Sequence, residues 1–157
     1  MLGDSVLLEE IADLLRECAL FRDFSEGELK AVARYVGSTK VAGGETVFRE
    51  GDPGEYMGIV MSGSISVQKE DDDGELVEIA KLPSGRVFGE MAVLDGERRS
   101  ATCIASGESM LLTLTKEALD KMIDDTPRVA AKVIRAIAVS LSRRLRMADG
   151  KLVEMRD

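Results

Sequence analysis

A chain of 157 residues is long enough for about one domain with a buried core, and its net charge of −8 argues against a general nucleic-acid surface, which needs clustered Lys and Arg. It holds no histidine, which speaks against the metal enzymes that rely on imidazole ligands, and no nucleophile stands beside a base, so neither a catalytic nor a metal-ligating residue is assigned. The opening MLGDSVLLEEIAD has acids where a signal peptide needs a basic segment, and no stretch reaches the roughly 18 apolar residues of a membrane span, so a cytoplasmic protein with no membrane contact is expected.

The first predicted element is a helix over Val6 to Ala19, with Leu7, Ile11, Leu14 and Cys18 on its buried stripe and Asp4 or Ser5 as its cap. Ser25 and Glu28 have capping-box spacing for a second helix that buries Leu29, Val32, Ala33 and Val36. From Val41 to Thr115 the pattern turns to short alternating runs punctuated by glycines, which is the signature of a β-rich segment. Ile59 and Met61, Ile65 and Val67, and Val77 and Ile79 repeat the period of two and are expected to fill a narrow roll or sandwich. Asp71-Asp72-Asp73 before Gly74 reads as a solvated hairpin tip, with a carboxylate-only Mg or Ca site as the formal alternative. Cys18 and Cys103 fall in separate elements without metal or redox spacing and read as buried free thiols.

Two helices are predicted to close the chain, one near Lys116 to Ile123 and a long one after Thr126, with Thr126 as cap and Pro127 in the first turn. On the long helix Ile134, Ala138, Leu141, Leu145, Ala148, Leu152 and Met155 are spaced 4-3-4-3-4-3, a heptad seam that predicts a parallel homodimer, against the alternative that its first half packs on the domain and the rest frays after Gly150. Arg128, Lys132, Arg135, Arg143, Arg144, Arg146 and Lys151 make the same helix basic, which reads first as a solvated face.

Between these elements, FGEMAVLDGERRSATCIA from Phe88 to Ala105 sets a carboxylate and an arginine around a glycine-led turn. Gly89 lets a ligand approach the backbone, and Glu90-Met91-Ala92-Val93-Leu94 can form one helical turn whose free amides favour a phosphate. Arg99 returns a guanidinium fork able to hold two phosphate oxygens, while Glu90, which would repel phosphate, makes sense as the acceptor for a sugar hydroxyl. Ribose and phosphate together imply a nucleotide. Arg98 is expected to turn to the opposite face from Arg99.

These residues resemble the phosphate-binding cassette of cyclic nucleotide-binding domains, the family of catabolite activators, kinase regulatory subunits and gated channels. The family's Gly-Glu pair falls on Gly89 and Glu90, its small residue on Ala92, its phosphate arginine on Arg99 and the small residue after it on Ser100, followed by Ala101. EGDPGEYMGIVMSGSISV from Glu50 to Val67 is similar to the family's glycine-punctuated strands, and the likeness covers roughly Leu20 to Leu145. The resemblance implies a mainly β fold with flanking helices: a double-stranded, jelly-roll-like β-roll over residues 41–115, with the cassette at 88–101, N-terminal helices over 1–40 and C-terminal helices over 116–157, all in one domain. It implies ligand contacts from Phe88, Gly89, Glu90, Met91, Ala92, Arg99, Ser100 and Ala101, with Val67 and Ile79 either lining the base end of the pocket or belonging to the core.

A small residue such as Ser100 after the arginine accompanies adenine in relatives, so the ligand leans to cyclic AMP, with cyclic GMP open. No cofactor beyond that ligand is implied. No aromatic residue occurs after Phe88, so a lid over the base is expected from Val129, Val133 or a partner's helix. Output would run through the C-terminal helix to an effector that the sequence does not name, and not to DNA, since no helix-turn-helix is expected. A dimerisation or docking module that keeps the fold without the ligand is the alternative.

Overall fold

Eight antiparallel strands form two four-stranded sheets, and five helices flank them, in a computed structural model that describes residues 2–156 and the side-chain surroundings of residues 7–148. Helix α1 (Leu2–Glu17) starts further upstream than the sequence predicts, so Asp4 and Ser5 lie within it and neither caps it. Its buried face is Ile11, Ala12 and Leu15, with Cys18 buried just beyond its end at the head of the 3-10 turn Ala19–Phe21, while Leu7 is exposed. The adjacent pairs Leu7-Leu8 and Leu14-Leu15 make two apolar stripes of equal quality, and only tertiary packing chooses between them.

Helix α2 (Glu26–Ala33) begins with the predicted capping box: Ser25 Oγ accepts from the Glu28 amide at 3.2 Å and Glu28 Oε1 accepts from the Ser25 amide at 2.8 Å. It stops at Ala33, so Val36 lies beyond it, half-buried against the same core. The first strand, β1 (Gly37–Val41), therefore starts four residues before the predicted β segment. It is followed by β2 (Thr46–Phe48), β3 (Tyr56–Ser62), β4 (Ile65–Glu70), β5 (Leu76–Leu82), β6 (Val87–Phe88), β7 (Thr102–Ala105) and β8 (Ser109–Thr115), with helix α3 (Glu90–Asp95) between β6 and β7. One sheet has the order β1-β8-β3-β6 and the other β2-β7-β4-β5.

The roll and its helical cover have separate cores. Val41, Phe48, Val60, Ile65, Phe88, Cys103, Ala105 and Leu111 fill the space between the sheets. Met57, Ile59, Leu112 and Leu114, on the opposite faces of β3 and β8, pack instead against the helices, and Met61 packs there too, so Ile59 and Met61, expected to fill the roll, face away from its interior. With both faces covered, β3 reads Met57-Gly58-Ile59-Val60 without a polar residue. Val77 and Ile79, expected to fill the roll, do not: β5 is an edge strand and Ile79 is 58 % exposed. The alternation was real, but an edge strand of a two-sheet roll can turn its apolar side to a cavity instead of the core. At the β4–β5 tip Asp71 Oδ1 accepts from the amides of Asp73 and Glu75, both at 2.9 Å, and Gly74 takes φ 82°, so the acidic run is a self-bonded exposed turn.

Helix α4 (Lys116–Asp125) is capped by Thr115 Oγ1, which accepts from Ala118 N at 3.0 Å. Helix α5 (Pro127–Arg156) follows, and Ala130, Val133 and Ile137 anchor it to the helix-side core. Of the predicted seam, Ile134 and Leu141 are half-buried on that core, Ala138, Leu145 and Ala148 are exposed, and Leu152 and Met155 lie outside the residues whose side chains are described. No described helix is long and apolar enough to cross a membrane.

Candidate functional site

The cassette begins with a backbone conformation that needs glycine. Gly89 has φ 69°, and a Cβ there would stand 2.4 Å from Arg99 Nη1. Gly96 repeats the left-handed geometry (φ 70°) at the other end of α3 and sends the chain back toward Arg99. That return segment is fastened to the β2–β3 loop: Arg99 N donates to Asp52 O at 2.8 Å, Gly51 N donates to Arg99 O at 2.9 Å, and Arg98 Nη1 donates to Gly51 O at 2.8 Å. Gly54 lets the loop press on α3, since a Cβ there would come 2.3 Å from Ala92 Cβ. The backbone is thus fixed on both sides of the arginine.

Glu90 is 2 % exposed and Arg99 5 %. Such burial of charge is costly unless the groups are partnered. Arg99 Nη1 donates to Gly89 O at 3.3 Å, but among the described residues Nε and Nη2 find no partner. Its guanidinium carbon lies 3.9 Å from the Phe48 ring centroid and 4.6 Å from that of Tyr56, and burial pulls its proton affinity below the ordinary arginine value. Glu90 Oε1 is in ion-pair contact with Arg144 Nη2 of α5. Burial lowers the proton affinity of Arg144 too, and Arg86 nearby lowers it further by repulsion.

Both groups face a cavity of about 1240 Å³ between the roll and α5. All eight residues predicted to contact ligand line it. Glu90, Arg99, Ala92 and Phe88 are buried in its wall, Met91 and Ser100 are exposed toward it, and Ala101 is half-buried. Val67 and Ile79 line it as well, which favours the pocket reading over the core reading for Ile79. The expected lid residues do not take part: Val133 is fully buried in the helix-side core and Val129 packs there too. They occupy the inner face of α5, whereas the face turned to the cavity carries Lys132, Arg135, Val139, Arg143, Arg144 and Met147. Arg98, expected on the face opposite Arg99, is exposed at the rim of the same cavity, with Nη1 donating to Gly51 O.

Nine cationic residues line the cavity against four acidic ones, on a chain whose net charge is −8. The wall therefore concentrates positive potential where the rest of the surface is acidic. Of the seven basic α5 residues expected to form a solvated face, Arg128, Lys132, Arg135, Arg143 and Arg144 converge on this cavity, which only the packing of α5 makes visible. Both thiols line the cavity, Cys103 beside Arg99, and burial pushes the pKa of Cys103 up to about 12. It is inert as a nucleophile near neutral pH.

The arrangement offers a half-open cationic fork, a buried carboxylate opposite it, and apolar side chains from β4 and β5 between. A family model described as the cyclic nucleotide-binding domain matches residues 38–126. The Cyclic AMP receptor protein of Thermus thermophilus is 32 % identical over 133 residues, which is 85 % of this chain and 60 % of that protein. A CRP-like cAMP-activated global transcriptional regulator of Mycobacterium tuberculosis is 24 % identical over 143 residues, 91 % of this chain and 62 % of the relative. The chain thus spans about three fifths of the length of these relatives. A solved cyclic nucleotide-binding domain from Methylobacillus flagellatus superposes with a TM-score of 0.80 at 29 % identity, covering 94 % of this chain and 83 % of that one. The chain belongs to the cyclic nucleotide-binding domain family.

Proposed function

We propose that this chain is a cyclic nucleotide sensor with no catalytic role of its own. It takes the ligand's phosphate on Arg99 and the amides after Gly89, and the ribose 2′-hydroxyl on Glu90. The observation that carries this reading is the buried guanidinium of Arg99, whose Nε and Nη2 are unpaired at the wall of a cation-lined cavity. A cyclic phosphate supplies the missing acceptors with a single negative charge, and its ribose presents a hydroxyl to the carboxylate opposite. Phe88, Met91, Ala92, Ser100 and Ala101 complete the cassette wall, with Val67 and Ile79 toward the base. Ser100 favours cyclic AMP over cyclic GMP, in keeping with the named ligands of the Thermus and Mycobacterium relatives.

The signal leaves through α5. Arg144 ties that helix to the cassette, so a ligand that displaces the contact changes where α5 is held. Exposed Leu145, with Ala138 and Ala148 on the same seam, leaves α5 with apolar surface that a second copy would cover, in keeping with a homodimer in the cytoplasm, built through α5 and coupled to an effector protein. The test is a thermal-shift titration with cyclic AMP, cyclic GMP and linear AMP, where a ligand at 100 times its Kd stabilises by about 2.7 kcal/mol. Cyclic AMP is expected to give the largest shift and linear AMP the smallest. No shift with any cyclic nucleotide would leave the docking-module reading in place.

A further inference from the structure

We infer that Tyr56 and Phe48 are positioning residues that set the phosphate-binding guanidinium, acting as an aromatic bracket in place of a carboxylate partner. The inference rests on the cyclic nucleotide reading for its ligand but on separate observations for its geometry. Among the described residues no carboxylate forms an ion pair with Arg99; its near neighbours are two ring faces at 3.9 and 4.6 Å. Phe48 and Tyr56 meet edge to face, 6.1 Å apart at 70°. Phe48 is backed in turn by Phe88, 5.9 Å away. Phe88 is held where it is because β3 has a glycine opposite it: a Cβ on Gly58 would stand 2.3 Å from that ring. Gly58, Phe88, Phe48 and Arg99 therefore form one packed series running from the sheet to the cavity.

The physical logic is that of an unclaimed charge. A carboxylate holding Arg99 would have to be displaced by the incoming phosphate, while ring faces fix the planar guanidinium from the side and leave its in-plane N–H donors free. Two of those donors are in fact unpaired. The rings also make the burial of a cation tolerable without neutralising it.

Calorimetric titration with cyclic AMP tests this on the full chain, using Tyr56→Phe, Tyr56→Leu and, as a second non-aromatic variant, Tyr56→Met, each checked for folding by its melting curve. Tyr56→Phe keeps the ring face and binds within about twofold of wild type, whereas Tyr56→Leu and Tyr56→Met lose about tenfold. A folded Leu or Met variant with wild-type affinity overturns the bracket, as does a Phe variant that loses as much as Leu. The Arg99 Nε–H resonance gives a reading independent of ligand: ring currents displace it in the wild type, and removal of the Tyr56 ring shifts it. If the wild type binds no cyclic nucleotide, the functional reading falls while this resonance still decides the bracket; an Nε–H unmoved by loss of the ring overturns it.

A different contact carries a second inference. The geometry points to Arg144 as an internal competitor for the ribose subsite: it already occupies Glu90, the carboxylate a ribose hydroxyl would use. The contact is replaceable. The Arg144 side chain is 55 % exposed, so water can take it up when Glu90 is claimed, and Arg86 repels it. Removing a cation from the wall of an anion pocket weakens binding if charge alone matters, but removing a competitor strengthens it. Arg144→Gln is therefore expected to bind cyclic AMP about threefold to tenfold more tightly, while Arg143→Gln, which lines the same cavity without touching Glu90, binds more weakly. Equal weakening by both substitutions overturns the competition. Without ligand, Arg144→Gln also speeds hydrogen exchange in α5 around residues 140–147, and unchanged exchange there overturns the contact's role as a tether.

Discussion

Arg99→Ala separates binding from stability more cleanly than any other substitution in the cassette. In the free protein Arg99 is buried with one long hydrogen bond and two ring-face contacts, and two of its nitrogens are unpaired. Losing two cation–π contacts costs roughly 1–3 kcal/mol, while relief of a desolvated and half-satisfied cation returns a similar amount. The melting temperature without ligand should therefore stay within a few degrees of wild type. With ligand the balance changes, because truncating one partner of a buried, hydrogen-bonded charge pair costs about 2–5 kcal/mol, or roughly 30- to 4,000-fold in Kd. Arg99→Lys should recover little of this, since a single ammonium cannot replace a two-pronged fork held beside two rings. Isothermal calorimetry with cyclic AMP, paired with melting curves in the absence of ligand, measures both quantities. Wild-type affinity within threefold in Arg99→Ala would refute the assignment of the phosphate to this guanidinium. A large loss of stability without ligand would refute the claim that its charge is uncompensated.

Gly89→Ala places a Cβ 2.4 Å from Arg99 Nη1 at φ 69°, so about 1–2 kcal/mol of stability and most of the ligand affinity should be lost, as read by melting curves and calorimetry. The cationic lining predicts that raising NaCl from about 0.05 to 0.5 M slows association of cyclic AMP several-fold with little change in dissociation, measurable by stopped flow; an unchanged association rate would argue against steering. Cys103 should resist a thiol reagent at pH 8 in the folded protein and react on unfolding. Because its folded pKa lies above the unfolded value, its contribution to stability is complete below about pH 9 and is lost as pH rises toward 12, so Cys103→Ala should flatten that alkaline decline in denaturant titrations. If α5 forms the dimer contact, Leu145→Glu should shift sedimentation equilibrium toward monomer without altering the melting of the roll, since Leu145 is 64 % exposed.

Local chemistry explains which parts of this fold were legible in the sequence. The capping box at Ser25 and Glu28, the glycine at the head of the cassette and the alternation along β4 are decided within a few residues and appear where the sequence reading puts them, whereas β3 is covered on both faces and turns Val60, not Ile59 and Met61, into the roll. What could not be read required knowledge of neighbours. Leu7 and Leu15 are equivalent by periodicity, and only contact with α2 and the 3-10 turn that follows α1 makes one of them core. Ile79 has the pattern of a buried residue but sits on an edge strand beside a cavity. Val129 and Val133 have the right chemistry for a lid and the wrong face of α5, which differs from the right one by a rotation that no spacing in the sequence specifies.

The roll fixes Arg99 by backbone bonds and ring contacts that do not involve α5, whereas Glu90 is partnered by a residue of α5 itself. The two polar anchors of the site thus differ in what a ligand must do to reach them. A phosphate meets a cation whose donors are already free, so that step reports little to the rest of the molecule. In the proposed binding mode a ribose hydroxyl would meet a carboxylate in contact with the helix that carries the exposed Leu145, so that step would alter what holds α5. Affinity and signalling would then reside on different atoms of one ligand. A ligand retaining the cyclic phosphate but lacking the 2′-hydroxyl should bind through Arg99 and leave α5 tethered to Glu90, giving a thermal shift without the change in α5 hydrogen exchange that cyclic AMP produces. Equal exchange with both ligands would place the switch at the phosphate instead.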